Sequence, residues 1–347
     1  MTVVPAEIRP GAPLLIVGQA PGADETRKGQ PFVGPSGREL WLWASRVGFS
    51  RDVVSITNVW DEEVPGVPAM TASTAVARAE GWWEPGWQIQ RNRWLRPEWR
   101  SGVVRLRREV VEAAPRVVLA LGNEALWALS GRYGIEARRG ALWRTVAPPH
   151  VPAIATFHPA AILRGGYRLR VFAVADTARA WEMAAGAASC EPPSRELWLE
   201  PTLADLEAWT EKLASALSLG VDIETAAGEI TSIAFAPSPY LALCVPFVVD
   251  GASYWPSAEE ECAAWAWVRG VCENAAPKVL QNGSYDAQWL WVERGIALHN
   301  YAYDTRLAHH ALFPEWPKSL GFMGSFWERE TWWKQWGAGK TEKNDDV

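Results

Sequence analysis

The chain has 347 residues, of which 48% are hydrophobic and 21% are charged, ordinary values for a globular protein. This composition excludes a wholly disordered chain, and the length predicts two domains. Apolar runs are far shorter than the roughly 20 residues that a bilayer-spanning helix needs, and no secretory signal is visible. We therefore expect a soluble, cytoplasmic protein with no membrane partner.

Charged residues are distributed unevenly along the chain. Residues 1–188 contain 23 basic and 17 acidic side chains, whereas residues 189–347 contain 11 and 23. All but one of the basic residues in the first part are arginine, whose planar fork suits phosphate groups. This pattern indicates a polyanion partner for the first part, although a scattered solubilising surface explains it equally well. The acidic second part suits carboxylates neutralised by metal ions.

The four cysteines, Cys190, Cys244, Cys262 and Cys272, follow no metal-ligand or redox spacing. We expect reduced thiols rather than disulfides or a zinc site. Tryptophan is unusually abundant, with 23 residues, and most of these side chains are expected to pack in the interior.

A change in composition at residues 184–196, where small residues and two prolines end a helical pattern, predicts a linker. It separates a first domain, residues 1–185, from a second, residues 200–347, with residues 186–199 between them. Residues 64–100 are rich in Pro, Gly, Trp and Arg without a clear period. They predict a long insertion loop.

Strand and helix signals alternate in the first domain. Buried parallel strands are predicted at residues 14–17, 53–57, 117–121 and 153–156. Helices are predicted at residues 37–47, 103–113 and 123–130. This alternation predicts an α/β fold with a doubly wound parallel sheet, and ligands are expected beyond the carboxyl ends of its strands.

The second domain starts with strands and continues with helices. Strands are predicted at residues 220–223, 231–236 and 242–245, and helices at residues 259–274 and 285–293. This order predicts an α/β domain with a mixed sheet.

A turn rich in glycine and proline follows the first predicted strand. Residues 18–22 read Gly-Gln-Ala-Pro-Gly, and Phe32 lies between Pro31 and a second glycine turn. Glycine lets backbone N–H groups approach a ligand, and a ring in a rigid loop suits stacking on a planar molecule. Taken singly, such residues are equally typical of a core or a turn.

These motifs resemble those of the uracil-DNA glycosylase superfamily, most closely its family 4. The similarity continues in order with Ile-Thr-Asn-Val at 56–59, Leu-Ala-Leu-Gly at 119–122 and Thr-Phe-His-Pro-Ala at 156–160. It ends with Asp176 and covers residues 12–183. The resemblance implies a hydrolase that cleaves the N-glycosidic bond of uracil in DNA after the base has left the strand.

Base recognition, as the resemblance implies it, uses four residues. Phe32 would stack on the base, with Gly18 and Ala20 in the wall of the same pocket. The amide of Asn58 both donates and accepts, so it would read uracil O4 and N3–H and reject cytosine.

The resemblance assigns catalysis to three residues. His158 would donate to O2 of the leaving base, Glu25 would orient the attacking water, and Gln19 lies in the catalytic motif. Arg164 would contact a DNA phosphate.

Two departures from family 4 stand out. Gln19 replaces the usual glutamate of that family. The first domain has no cysteine, so we expect no iron–sulfur cluster.

Carboxylates in the second domain form another pattern. Asp222 and Glu224 lie two positions apart on a predicted strand and share a face, where a divalent cation would offset their repulsion. With Asp286 and Asn282, they resemble the first two motifs of the 3′–5′ exonuclease domain of family A DNA polymerases, which has an RNase H-like fold. Asp304 matches an aspartate of that family that is not a metal ligand.

The exonuclease resemblance spans residues 200–336 and implies Mg²⁺ or Mn²⁺, with two ions in a complete site. The third motif is missing, and Asp345 and Asp346 at the chain end are interpreted as a solvated tail. We expect either an incomplete exonuclease or a fragment of a longer protein. His309 and His310 lack a suitably spaced third ligand and are not expected to bind metal.

Together these patterns predict a DNA-processing enzyme that removes uracil and carries an attached exonuclease domain. Its expected partner is DNA, either uracil-containing, single-stranded or with a free 3′ end, together with a polymerase continuation or replication partner. One alternative is a non-catalytic clamp that binds uracil or DNA. Another is the N-terminal fragment of a family A DNA polymerase.

Overall fold

The structure, a computed structural model, describes residues 2–328 of the chain. These residues form two units, one made of residues 2–192 with 321–328 and the other of Pro193–Leu320. Residues 321–328, assigned to the second domain from sequence, therefore pack in the first unit. The region in which the third exonuclease motif was sought, with Asp345 and Asp346, lies outside the described residues. No helix in the described part is long and apolar enough to cross a bilayer.

The first unit alternates strands and helices. Its strands are β1 (Leu14–Gly18), β2 (Ser55–Asn58), β3 (Thr71–Ser73), β4 (Gln88–Gln90), β5 (Arg93–Leu95), β6 (Val117–Leu121), β7 (Leu142–Arg144) and β8 (Pro152–Thr156). Its helices are α1 (Ala23–Lys28), α2 (Pro35–Val47), α3 (Val67–Met70), α4 (Thr74–Ala79), α5 (Arg100–Ala113), α6 (Gly122–Ser130), α7 (Ile135–Arg138), α8 (Pro159–Leu163) and α9 (Arg170–Ala184).

The doubly wound parallel sheet predicted for this unit is confirmed. Its strand order is β2-β1-β6-β8-β7, and the first four strands are parallel. Strand β7 was not predicted and pairs antiparallel with β8 at the edge. Every residue of β1 and β6 is buried. Because successive side chains point to opposite faces, both faces of the sheet are covered.

The prediction of a loop at residues 64–100 was wrong. Strands β3, β5 and β4 form a small antiparallel sheet in that order. Met70, Ile89 and Trp94 are buried in this region. Strands of three residues are too short to display the alternation of apolar and polar positions by which a strand is recognised.

The returning segment, residues 321–328, contains the end of helix α14 (Leu320–Met323) and a π-helical turn, Gly324–Glu328. The rings of Phe322 and Phe326 lie edge-on to Phe172 of α9, at centroid distances of 5.2 and 5.7 Å. With Phe172, they surround the buried guanidinium of Arg139 at 5.3 to 5.7 Å. The segment thus completes a buried cluster of the first unit.

The second unit begins with β9 (Glu196–Trp198) and α10 (Leu203–Ala214). A run of strands follows: β10 (Leu219–Ala226), β11 (Glu229–Ser238), β12 (Leu241–Pro246), β13 (Val248–Val249) and β14 (Ala252–Ser253). The remaining elements are α11 (Ala258–Glu273), β15 (Lys278–Leu280), α12 (Ser284–Arg294), β16 (Tyr301–Asp304) and α13 (Thr305–Leu312).

The strand order of the second sheet is β16-β15-β10-β11-β12-β9. Strand β11 is antiparallel to both of its neighbours, whereas β10, β15 and β16 run in parallel. Apart from β9, this is the order and direction of an RNase H-like sheet, so the predicted mixed α/β fold is confirmed. Its core packs around Trp209, Phe235 and Phe247.

Candidate functional site

Three motifs of the first unit meet at one edge of its sheet. Gly18 ends β1 and pairs directly with Asn58 at the end of β2, and His158 follows β8. The carboxyl ends of parallel strands share an edge, and Asn58 and His158 line one cavity of about 470 Å³ there. Gly18, which was expected in the wall, does not line this cavity. Of the residues predicted from sequence, the cavity wall contains Gln19, Ala20, Glu25, Phe32, Asn58 and His158.

Gly18 lies directly beneath the ring of Phe32 and the amide of Asn58. A Cβ atom at this glycine would lie 2.3 Å from Asn58 Oδ1 and 2.5 Å from Phe32 Cζ. Only a residue without a side chain lets both groups rest against the β1 backbone. The absence of a Cβ at Gly18 therefore places the ring and the amide together.

The backbone of Phe32 is unusual, with a φ of 53°, a region that costs free energy for a residue other than glycine. Its carbonyl oxygen accepts hydrogen bonds from Trp41 Nε1 at 3.0 Å and Arg51 Nη1 at 3.3 Å. Gly37 permits a close approach here, because a Cβ on it would meet the same oxygen at 2.0 Å. These contacts hold the ring in the cavity wall.

The side-chain amide of Asn58 has no hydrogen-bond partner in the described part of the chain, although the residue is only 5% exposed. Its backbone oxygen accepts from Arg105 Nη2 at 2.8 Å, and the same nitrogen donates to Val59 O at 3.1 Å. Arg105 also forms ion pairs with Asp61 and Glu109. The main chain is therefore fixed while the amide remains available to a ligand.

His158 is a neutral donor. Burial, followed by the nearby charge of Arg164, lowers the pKa of His158 to about 4, so the ring is uncharged at neutral pH. Its Nδ1 accepts from Ala160 N at 3.1 Å, which leaves the proton on Nε2. The ring centroid lies 6.4 Å from that of Phe32. Gly122 lets the His158 side chain lie close to the backbone of residue 122, since a Cβ atom there would lie 3.0 Å from His158 Cβ.

Glu25 joins the two glycine turns. It is 7% exposed, and its carboxylate accepts from Gly22 N at 3.2 Å and Gly34 N at 2.8 Å through different oxygens. This geometry supports a role in positioning the loops, and the water-orienting role expected from sequence stays a prediction. Arg164 is exposed and close enough to affect His158, but it does not line the cavity.

Sequence reasoning missed several residues around this cavity. Glu63 and Asp24 line it. Arg51 and Arg105 donate hydrogen bonds to the backbone oxygens of Phe32 and Asn58 in its wall. The acidic run at residues 61–63 was visible, but only the folded chain brings Glu63 to the wall.

In the second unit, Asp286 joins strand β10 between the two predicted carboxylates. Its Oδ1 accepts from Ile223 N at 3.0 Å, and Ile223 lies between Asp222 and Glu224. This N–H is free because β15 pairs with β10 only at Leu219 and Gly220. The side chain of Asp286 therefore replaces the missing strand neighbour.

Burial and mutual repulsion disfavour the ionised form of these carboxylates. Partial desolvation, followed by the charges of Asp286 and Glu224, raises the pKa of Asp222 to about 7. Burial also raises the pKa of Asp286, against the hydrogen bond from Ile223. A cation would relieve this repulsion. Nevertheless, within residues 2–328 no three acidic, cysteine or histidine side chains converge as a metal ion requires.

Asp304 and His309 have structural contacts. Asp304 accepts from Asn282 N and Gly283 N at 3.2 and 2.9 Å and caps α13. Burial opposes ionisation, but the hydrogen bond from Tyr301 and those from the backbone hold the pKa of Asp304 below its usual value. His309 is buried, and its Nε2 contacts Pro317 O at 3.1 Å.

The four cysteines are free thiols in the structure. Burial raises the pKa of the Cys272 thiol to about 12, which makes this thiol unreactive.

Comparison with known families bears on the first unit. Residues 5–182 match the family model described as the uracil DNA glycosylase superfamily. The chain belongs to this superfamily.

Individual superfamily members share different lengths of sequence with the chain. The type-4 uracil-DNA glycosylase of Pyrobaculum aerophilum is 30% identical over 167 residues, which cover 46% of this chain and 73% of that protein. The type-4 enzyme of Sulfurisphaera tokodaii is 46% identical over 57 residues, which cover 16% of this chain and 26% of that protein. The chain thus spans about a quarter of the latter relative's length.

Solved structures similar to this chain include nucleases. The catalytic core of RRP6 from Trypanosoma brucei matches with a TM-score of 0.33 and 20% identity, covering 42% of this chain and 38% of that one. RNase D of Escherichia coli, an exoribonuclease, matches with a TM-score of 0.27 and 14% identity, covering 43% and 39%. These similarities are weak, and the fold of the second unit rests on its own strand order.

Proposed function

We propose that the first unit hydrolyses the N-glycosidic bond of uracil in DNA. The observation that carries this proposal is the meeting of Phe32, Asn58 and His158 around one cavity. A planar ring, an unpartnered amide and a neutral imidazole N–H provide stacking, base reading and charge stabilisation for a pyrimidine. The cavity can hold a base only after the nucleotide has rotated out of its strand.

In this mechanism, the residues act on successive features of the base. The ring of uracil lies against Phe32, and the Asn58 amide pairs with O4 and N3–H. As the bond to the sugar breaks, negative charge develops on the base. The Nε2–H of His158 donates a hydrogen bond to O2 and stabilises this charge while the proton stays on Nε2.

Release of uracil from labelled single-stranded and duplex oligonucleotides tests the proposal. Wild type is expected to release uracil, and Asn58→Ala to lose at least about 100-fold in rate, a loss typical of removing one catalytic hydrogen bond. Gln88→Ala removes an exposed amide outside the cavity and is expected to leave the rate unchanged. Selective binding of uracil-containing DNA by wild type without release would favour the clamp instead.

For the second unit, we propose that Asp222, Glu224 and Asp286 bind Mg²⁺ or Mn²⁺ near a 3′ end of DNA. The raised pKa of Asp222 supports this, since a cation would replace the bound proton. A divalent ion there would supply Lewis acidity for phosphodiester hydrolysis. The ligand set lacks the convergence of a ready site, so we propose no catalytic step through it.

Calorimetric titration with Mn²⁺ tests the metal proposal. Wild type is expected to bind the ion with release of protons near pH 7, and Asp222→Asn to bind at least tenfold more weakly. Glu229→Gln removes a carboxylate farther along the hairpin and serves as the matched control. Equal binding by wild type and Asp222→Asn would contradict the proposal.

A further inference from the structure

Three carboxylates line the cavity of the first unit, and two are already engaged. Both oxygens of Glu25 accept backbone hydrogen bonds from the glycine turns. Asp24 accepts from Arg27 at 2.5 Å in an exposed ion pair. Glu25 is thus committed through both oxygens to the loop backbone, and Asp24 is committed through one oxygen to Arg27.

Glu63 is the third carboxylate in the wall. It is exposed, and in residues 2–328 no hydrogen bond or ion pair engages it. Gln19, also in the wall, carries a neutral amide and cannot accept a proton at neutral pH. Of the three, Glu63 is therefore the carboxylate that no side chain or backbone group of the described residues engages.

The chain segment that carries Glu63 is firmly anchored. It follows Asn58, whose backbone oxygen is bound by Arg105, and the same guanidinium pairs with Asp61 through Nε at 3.3 Å. Trp60 N also donates to Gln19 O at 3.0 Å. These contacts hold residues 58–61 against the first motif, and Glu63 follows two positions later in the cavity wall.

We infer that Glu63 orients and deprotonates the water that attacks the sugar, an inference that rests on the proposed glycosylase function. The water oxygen forms a bond to C1′ while one of its protons passes to the Glu63 carboxylate. The bond between C1′ and N1 breaks, and its electron pair leaves with uracil, whose O2 faces His158. The uracil anion is then protonated by solvent, and Glu63 returns its proton to solvent.

Single-turnover release of uracil by Glu63→Gln tests this assignment. The rate is expected to fall by about 100-fold to 10,000-fold, the usual contribution of a positioned base. Binding of uracil-containing DNA is expected not to weaken, because glutamine keeps the shape of the side chain and removes a negative charge that would face the DNA phosphates. Glu63→Asp is expected to recover part of the rate.

Glu62→Gln provides the matched control, because Glu62 is the neighbouring carboxylate and does not line the cavity. It is expected to release uracil at the wild-type rate. A Glu63→Gln protein as fast as wild type would overturn the assignment and leave the glycosylase function intact. Loss of DNA binding in that variant would also overturn it, by showing a structural role. A wild type that releases no uracil would overturn both proposals.

Discussion

Arg51 donates to the backbone oxygens of both Pro31 and Phe32, at 2.6 and 3.3 Å. The guanidinium is itself held by Glu7, whose carboxylate accepts from Nε and Nη2 at 3.1 and 2.6 Å. It also lies over the ring of Trp41, 5.2 Å from its centroid. The ion pair between Arg51 and Glu7, which are far apart in sequence, thus holds the strained backbone at Phe32.

Arg51→Met is expected to slow uracil release by about tenfold or more. Without the guanidinium, the Phe32 backbone relaxes from its positive φ, a conformation that costs roughly 1–3 kcal/mol, and the ring leaves its stacking position. The loss should affect KM and kcat together, because binding and reaction both need the ring. Arg91→Met, which removes an exposed arginine outside the cavity, is the control, and equal kinetics for the two variants would refute this role.

Gly18→Ala is expected to abolish binding of uracil-containing DNA. The new Cβ would overlap both Asn58 Oδ1 and Phe32 Cζ, so the amide and the ring must separate. Gly270→Ala, within α11, meets no atom within 4 Å and is expected to stabilise the helix by up to about 1 kcal/mol. Fluorescence anisotropy with a labelled oligonucleotide measures the first effect, and thermal unfolding the second. Wild-type affinity in Gly18→Ala would contradict the packing described.

The lowered pKa of His158 predicts that the first unit loses stability in acid. Its pKa is about 4 in the folded chain, against 6.5 for an ordinary histidine, so the unfolded chain binds the proton first as the pH falls. Above about pH 6.5 the ring is neutral in both states, so its titration does not change the free energy of unfolding. Between pH 6.5 and 4 that free energy falls, and the total loss is roughly 3 kcal/mol.

Hydrogen exchange of the β1 and β6 amides measures this loss for the first unit alone. Wild type and His158→Gln are compared at pH 7 and pH 4.5, because other groups titrate equally in both proteins. The variant is expected to lose less stability between the two pH values. An identical loss in the two proteins would show that His158 is not buried in its neutral form.

Asp176→Asn is expected to destabilise the first unit by about 3–5 kcal/mol, because it leaves the buried Arg139 guanidinium without its counter-charge. Arg139 Nε donates to Asp176 Oδ2 at 2.7 Å, and Thr156 Oγ1 donates to the same oxygen at 2.7 Å. Asp24→Asn breaks an exposed pair and is expected to cost less than about 1 kcal/mol. Denaturant-dependent hydrogen exchange compares the two variants, and equal costs would contradict the burial of the first pair.

Much of the fold follows from local pattern. The run at Val117–Leu121 was predicted with its exact bounds because five apolar residues stand between Arg116 and Gly122. Helix α10 was missed, although Thr202 and Asp205 form a capping box and Leu206, Trp209 and Leu213 follow at helical spacing. Strand β7 has three residues and exists only by pairing with β8.

The site was predictable where residues stand in ordered motifs. Asn58 and His158 follow parallel strands, whose ends meet whatever the lengths of the intervening segments. Phe32 lies in the loop between α1 and α2 and was found only through its motif. The contacts of Arg51 with Glu7 and Phe32 join residues far apart in sequence, and no local pattern reports them. The engagement of Glu25 by two backbone N–H groups likewise became visible only in the folded loops.

The return of residues 321–328 makes the second unit an insertion between parts of the first. A fragment ending at residue 192 would therefore lack Phe322 and Phe326 and leave one side of Arg139 uncovered. Separate production of the glycosylase-like half would need residues 321–328 rejoined through a short flexible bridge. The residues that match the family, 5–182, and the residues that form the folding unit therefore end at different places in this chain.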